Sequence, residues 1–295
     1  MVDFVLLTDS TADLDREARQ KYGIEYVAMR YVIDEKEYVA SLDWESHAPK
    51  AFYDIMRGGV RITTTQVPRE SYEEAFTRAL SEGRDVVYLS CSSALSGSVN
   101  LASVVAKEVM ARYPGRRIHC VDSLISSLGQ GGLAIEAAKL RRAGKSADEV
   151  AAWLTANRLK MNQCGYCDKL EYLRRAGRVT ASSAFFGNLL GVRPLLISDA
   201  LGQNFAVKKT KGAFNARRET ALLLKERVEN PEGQCLYITH ADDLPAAELL
   251  RDEILKEIPF GSCHINYIGP IVGSSVGPGT LIAFCMGKEV TTNAR

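Results

Sequence analysis

The sequence has no apolar run approaching the ~18 residues that a membrane-spanning helix needs, which argues against a helical membrane protein. It has no charge excess either. Its 37 Lys and Arg face 36 Asp and Glu, and a formal charge of +1 argues against a chain that wraps nucleic acid as a whole. A leader pattern is missing, because the opening MVDFVLLTDSTAD meets Asp3 and Asp9, so a cytoplasmic protein is expected. Histidine is scarce: only His47, His119, His240 and His264 occur. Cys164-Gly165-Tyr166-Cys167 has no second CxxC to complete a zinc site, and the odd total of seven cysteines suits reduced, buried thiols. GxGxxG, P-loop, GxSxG and HExxH patterns are all absent, so neither a metal nor an organic cofactor is expected.

What is present is an ordinary globular balance, 46% hydrophobic and 25% charged, long enough for one large or two medium domains. Strand-like and helix-like segments alternate, which predicts an α/β fold: an N-terminal Rossmann-like parallel-sheet domain over residues 1–160 and a smaller C-terminal α+β domain over 161–290. In the first half, strands are expected at Phe4–Leu7, Ile24–Ile33, Val86–Leu89 and Ile118–Val121. In the second, helices are expected at Lys169–Arg175 and Thr180–Leu190, with strands at Arg193–Ile197, Asn204–Lys208, Gln234–Thr239, His264–Ile268 and Thr280–Phe284. Cys164 and Cys167 read as core-facing residues of a strand or turn, and Thr291–Arg295 as a disordered tail. His264 reads as structural, and His240 as a surface or partner residue.

The chemistry is suggested by position. Thr8-Asp9-Ser10-Thr11, the run from Ser90 to Ser98, and Asp122-Ser123 are hydroxyl-rich segments between a strand and a helix, and Thr63-Thr64-Thr65 is a fourth. In open parallel sheets ligands bind beyond the carboxyl ends of strands, where helix N-termini favour anions. One such loop is explained by helix capping. Four together suggest a donor-rich site for a carboxylate or phosphate, with Ser10, Thr11 and Ser123 as secondary contacts. The segment Gly269–Gly279 holds four glycines and two prolines and reads as a tight-turned loop, either a plain connection or a source of backbone amides with Ser274 and Ser275. From Asp168 to Arg218 ten basic residues face three acidic ones, either a solvated face or an electropositive docking surface. No histidine is placed as a base for a serine nucleophile, which favours binding over turnover.

These residues resemble the DegV family of bacterial fatty-acid-binding proteins across nearly the whole chain. Thr8 to Asp13 resembles the family's N-terminal signature, and Thr64-Thr65-Gln66 its Thr-Ser-Gln-Pro segment, with Val67 in the proline's place. Ser92 to Ser98 is similar to its Ser-x-x-Leu-Ser-Gly-Thr loop. Asp122-Ser123 with Gly129-Gln130-Gly131, Leu170 to Val179, and Gly191 to Leu196 follow in the family's order. The resemblance implies a long-chain fatty acid held between the two domains, its carboxylate bound by Thr64 and Ser96, with Thr65, Gly97 and Ser275 close by. It implies a carrier that presents the acid to a fatty acid kinase and hands on the acyl phosphate, an acyl-phosphate-using acyltransferase being a further partner. Transient membrane contact is allowed and nucleic acid is not expected. The basic run, with Arg174, Arg175, Arg178, Lys208 and Lys209, is the implied docking surface. Apolar candidates for the tunnel are Phe185, Phe186, Leu189, Leu190 and Ile268. Two positions depart from the family: Ser275 stands where it usually has His, and Lys208 where it often has Arg. A regulatory sensor of a small carboxylate or phosphate, and a hydrolase using Ser96 or Ser10, remain the alternative readings.

Overall fold

The computed structural model describes residues 4–180 and 191–293. The apolar run after the N-terminus forms β1 (Phe4–Asp9), buried along its whole length. It pairs in parallel with β2 (Ile24–Val27) and β6 (Asp85–Ser90), and β7 (Ile118–Asp122) completes a sheet in the order β2-β1-β6-β7. Continuous apolar strands of this kind suit a parallel sheet covered on both faces.

The second half supplies a mixed sheet of seven strands. These are β8 (Met161–Tyr166), β9 (Val179–Thr180), β10 (Val192–Ser198), β11 (Asn204–Lys211), β12 (Cys235–His240), β13 (Ser262–Tyr267) and β14 (Leu281–Met286), in the order β13-β12-β14-β8-β10-β11-β9. The fold is therefore α/β, a parallel-sheet domain with an additional α+β region. A small antiparallel sheet joins β3 (Arg30–Ile33), β4 (Lys36–Val39) and β5 (Thr63–Thr65). Asp34 and Glu35, both at positive φ (48° and 65°), turn β3 into β4.

Helix α5 (Ser127–Arg142) lies against strands of both large sheets, and most of its residues are buried. It tolerates this because it is built of small residues where the strands approach: a Cβ added at Gly132 would come within 2.9 Å of the Tyr237 ring. One apolar cluster accordingly joins Phe4 and Leu6 to Tyr237, Ile282 and Phe284 across the two halves.

Three expectations are corrected. The single strand expected over 24–33 is two strands in different sheets. The loop expected over Gly269–Gly279 contains helix α10 (Pro270–Val276), with Pro270 at a first-turn position that needs no N–H donor. The tail is bonded as far as it is described, since the Ala200 N–H donates to the Thr292 carbonyl at 2.7 Å. Cys164 and Cys167 are buried as expected, Cys164 within the central strand β8. Most of the helix expected at 180–190 lies outside the described residues.

Gly165 sits in β8 where a Cβ would lie 2.3 Å from the Leu281 carbonyl oxygen and 2.7 Å from Ile282 Cα. Neither atom can move without breaking the ladder. Gly165→Ala is expected to cost about 1–3 kcal/mol through overpacking. Urea unfolding should show this as a lower midpoint at unchanged slope.

Candidate functional site

The carboxyl ends of β1 and β6 meet around a buried acid. Asp9 Oδ2 accepts hydrogen bonds from the Cys91 N–H (2.9 Å), the Tyr88 hydroxyl (3.0 Å) and the Ser90 hydroxyl (3.4 Å). Its Oδ1 accepts from the Thr11 N–H (3.0 Å), the Thr11 hydroxyl and Gln130 Nε2 (3.3 Å). Burial and the nearby Asp9 carboxyl push the Tyr88 phenol and the Cys91 thiol well up, so both stay protonated. The network fixes the loops that follow β1 and β6, and it uses the Thr11 hydroxyl in doing so.

A second buried acid, Asp13, links the halves. Its Oδ1 accepts the Gly269 N–H at 2.9 Å, its Oδ2 lies 2.5 Å from Ser127 Oγ, and its carbonyl accepts from Asn266 Nδ2 at 2.7 Å. Burial without a cation pushes its carboxyl up to about 8. Gly269 is the N-cap of α10, so this bond sets the start of the helix that carries Ser274 and Ser275. Tyr53 adds to it by donating to the Ile268 carbonyl at 2.6 Å and packing against Gly273, while Tyr172 packs against Gly277.

Between these loops lies a cavity of about 300 Å³. Its lining combines the polar Thr64, Thr65, Ser96, Gly97, Ser126, Ser275 and Arg178 with the apolar Met29, Leu95, Ile271, Val272 and Val276. Thr64 comes from β5, paired with Tyr31 of β3. Ser96 precedes helix α4 (Ser98–Arg112), where its Oγ accepts the Ser98 N–H at 3.3 Å and lies 3.0 Å from Ser98 Oγ. Arg178 reaches across from the second half, donating through Nε to the Leu95 carbonyl at 3.2 Å. A smaller outer compartment, about 130 Å³, shares Thr64, Arg178 and Ser275 with it.

The structure thus brings the five primary candidates, Thr64, Thr65, Ser96, Gly97 and Ser275, to one cavity. The secondary candidates divide. Thr11 reaches the wall and Ser274 the outer compartment, the latter with its hydroxyl donated to the Ile271 carbonyl at 2.9 Å. Ser10 and Ser123 do not line either space: Ser10 Oγ accepts the Met29 N–H, and the Ser123 hydroxyl donates to the Ile125 carbonyl. Of the residues expected on the docking face, Arg178 lines both spaces and Arg175 the smaller one. Arg174 and Lys208 are exposed, Lys208 paired with Glu219. Lys209 is half-buried.

His240 is corrected. It is 2% exposed, and burial holds its imidazole down at about 4, so it is a neutral core residue. Ile268 is buried in the core, and Phe185, Phe186, Leu189 and Leu190 lie outside the described residues. Sequence reasoning missed Ser126, Gln66, Cys91 and Asn204 as wall residues. Ser126 was findable. It is the N-cap of α5, a position that serine favours, and it makes no capping bond of its own. Among the described residues no histidine lines the cavity, and no cluster of three His, Cys, Asp or Glu side chains is placed to hold a metal ion.

Comparison with known proteins gives a consistent picture. The family model described as "Uncharacterised protein, DegV family" matches residues 3–288. A DegV domain-containing protein of Clostridium perfringens is 36% identical over 287 residues, covering 97% of this chain and 98% of its own. Among solved structures, a DegV family protein from Thermus thermophilus described by its fatty acid binding superposes with a TM-score of 0.85 at 30% identity, over 97% of this chain and 99% of its own. A DegV lipid-binding protein from Thermotoga maritima gives 0.84 at 26% identity, over 98% and 100%.

Asp13 generates a pH prediction. Its folded value of about 8 lies above the ordinary 3.8, so the native state binds the proton more tightly than the unfolded chain. The associated stability is complete below about pH 4 and is lost as pH rises toward 8. Asp13→Asn keeps an acceptor for the Gly269 N–H and a donor for Ser127. It should fold normally and remove up to about 1.4 kcal/mol per pH unit from the slope of stability in that window. Chemical denaturation at a series of pH values measures this, and an unchanged slope would show that Asp13 does not titrate there.

Proposed function

The chain belongs to the DegV family, and from that premise we propose that it binds a long-chain fatty acid and presents it to a fatty acid kinase as a carrier without catalytic activity of its own. The carboxylate is held by Thr64, Thr65, Ser96, Gly97 and Ser275, and the alkyl chain runs along Met29, Leu95, Ile271, Val272 and Val276. The observation that carries the reading is the cavity itself, whose lining combines hydroxyls with aliphatic side chains. The fatty acid and lipid binding described for the Thermus thermophilus and Thermotoga maritima proteins supports it.

The energetics are consistent with such a ligand. Each methylene removed from water contributes about 0.8 kcal/mol. Hydroxyl and amide donors to the carboxylate offset its desolvation at about 1.5–3 kcal/mol per charge-assisted bond. The described cavity has room for roughly ten water-sized groups, enough for the head and the first part of the chain. A serine hydrolase needs a base beside Ser96, and no histidine among the described residues lines the wall. Transfer of a phosphoryl group from the kinase's nucleoside triphosphate to the carboxylate then yields an acyl phosphate, with the exposed Arg174 and Lys208 available to meet the partner.

Native mass spectrometry of protein purified without added lipid should show a non-covalent mass excess that extracts as free fatty acid. Thr64→Ala with Ser96→Ala should weaken palmitate binding by about a hundredfold or more, from two lost bonds to a charged group, with little change in melting temperature. A bare polypeptide mass together with no uptake of palmitate or oleate would overturn the reading. Recovery of a water-soluble carboxylate or phosphate instead would favour a regulatory sensor.

A further inference from the structure

Helices α8 (Ala213–Arg227) and α9 (Leu244–Glu257) cover the face of the seven-stranded sheet that is turned away from α5. One apolar cluster joins Ala216 and Leu224 of α8, Leu250 and Ile254 of α9, and the strand residues Leu236, Ile238 and Ala283. The alternate strand residues Tyr237, Ile282 and Phe284 point to the other cluster, which includes α5. Burial against the sheet thus uses one side of each helix, and the opposite side of a surface helix is ordinarily polar. Here it is not. Among the described residues eight large hydrophobic side chains are exposed, and five of them stand on these two helices. They are Phe214 and Leu222 on α8, and Leu244, Leu249 and Leu255 on α9, with Phe214 60% and Leu249 53% exposed.

Charge is arranged around this surface in a self-complementary way. Helix α8 carries four basic and two acidic residues, and α9 four acidic and two basic. A spacing of four places Phe214, the exposed Arg218 and Leu222 in one row along α8. On α9, Leu249 stands among the exposed Glu248 and Asp252. The helices lead into the parallel strands β12 and β13, so they run in the same direction. The ion pair between Lys225 and Glu257 (2.8 Å) aligns their last turns. Counting back equally from that pair sets Arg218 level with Leu250, between Glu248 and Asp252.

We propose that the α8–α9 layer is a self-association surface whose occupant is a second copy of this chain. A two-fold axis along the groove between the helices places α8 of each copy on α9 of the other, at the same level. The row Phe214, Arg218 and Leu222 then meets Leu249 with Glu248 and Asp252 of the second copy, and the contact is made twice, as an isologous interface requires. A face of one charge would repel its own copy, whereas a basic helix beside an acidic one attracts it. The layer is about 22 Å long and about 20 Å wide, which offers on the order of 400–500 Å² per copy. That is at the small end of specific interfaces, so the dimer is reversible. No residue of α8 or α9 lines the fatty acid cavity, which stays accessible in the pair, and the inference does not depend on what the cavity holds.

Sedimentation velocity of the full chain over about 1–200 µM tests this. The average mass should rise from monomer toward dimer across that range. Phe214→Ser and Arg218→Glu should each raise the midpoint about tenfold or more, with unchanged melting temperature because both side chains are exposed. Arg218→Glu combined with Glu248→Arg and Asp252→Arg exchanges the charges and should restore association. A monomer at every concentration overturns the proposal. So does a dimer that neither single variant weakens, since the contact then lies elsewhere, and so does failure of the exchanged charges to restore it. A monomer that binds phosphatidylglycerol vesicles, and loses that binding in Phe214→Ser and Arg218→Glu, gives the face to a lipid surface and overturns the dimer.

Discussion

The buried Asp9 carboxyl is the constraint around which the rest of the structure is arranged. It accepts bonds from the ends of β1 and β6 and from Gln130 of α5, with no cation among these partners. An acid placed among apolar strands is tolerable only when its lone pairs are occupied, and removing a donor would leave a strongly desolvated group unpaired. The loops after β1 and β6 are therefore held by the acid and are not free to follow a ligand. Those loops carry Thr11 and lead to Ser96, so one wall of the cavity is preorganised by an interaction that does not touch its contents.

The opposite wall is assembled by different means. Helix α10 is short, and its sequence, Pro270 to Val276, has low intrinsic helical preference. It is held from outside by Asp13 at its N-cap, Tyr53 before and beneath it, and Tyr172 at its end. The glycines Gly273 and Gly277 are where those tyrosines lie; a Cβ would stand 2.4 Å from the Tyr53 hydroxyl oxygen at Gly273 and 2.2 Å from the Tyr172 ring at Gly277. A stretch that reads as a tight-turned loop is thus a short helix, held in place, that carries Ser275. The two walls are joined by Asp13 and by α5, and for that reason the cavity belongs to both halves.

What the sequence made legible follows from this arrangement. The apolar strands β1 and β6 and the donor-rich segments around Thr64 and Ser96 were visible in the residues themselves, because burial on both faces and clustered hydroxyls leave direct signatures, whereas Thr64, Ser96 and Ser275 were singled out within those segments by the family resemblance. The central strand β8 did not stand out, since Met161, Asn162, Gln163 and Gly165 read as mixed polar residues. Their side chains are satisfied by distant partners, such as Asn204 for Gln163 and the Lys288 carbonyl for Asn162. Helix α10 was hidden because its stabilising contacts come from residues more than ninety positions away. His240 misled for the same reason. Its neighbours Asp242 and Asp243 suggest a surface, yet the ring packs 4.3 Å from Tyr267 and is dry. Ser123 and Ser126 stand in one loop, and only the true helix start distinguishes the serine that closes a turn from the one that faces the cavity.

Charge is unevenly distributed around the cavity. A serine hydroxyl at position 275 can donate a hydrogen bond but carries no charge, so hydroxyls alone solvate an anion without neutralising it. Arg178 is the single cationic residue lining the inner cavity among the described residues, and Arg61 and Arg175 line only the smaller compartment. The elements that present these hydroxyls are held by Asp9, Asp13 and the tyrosines packed against α10, through contacts that do not depend on what the cavity contains.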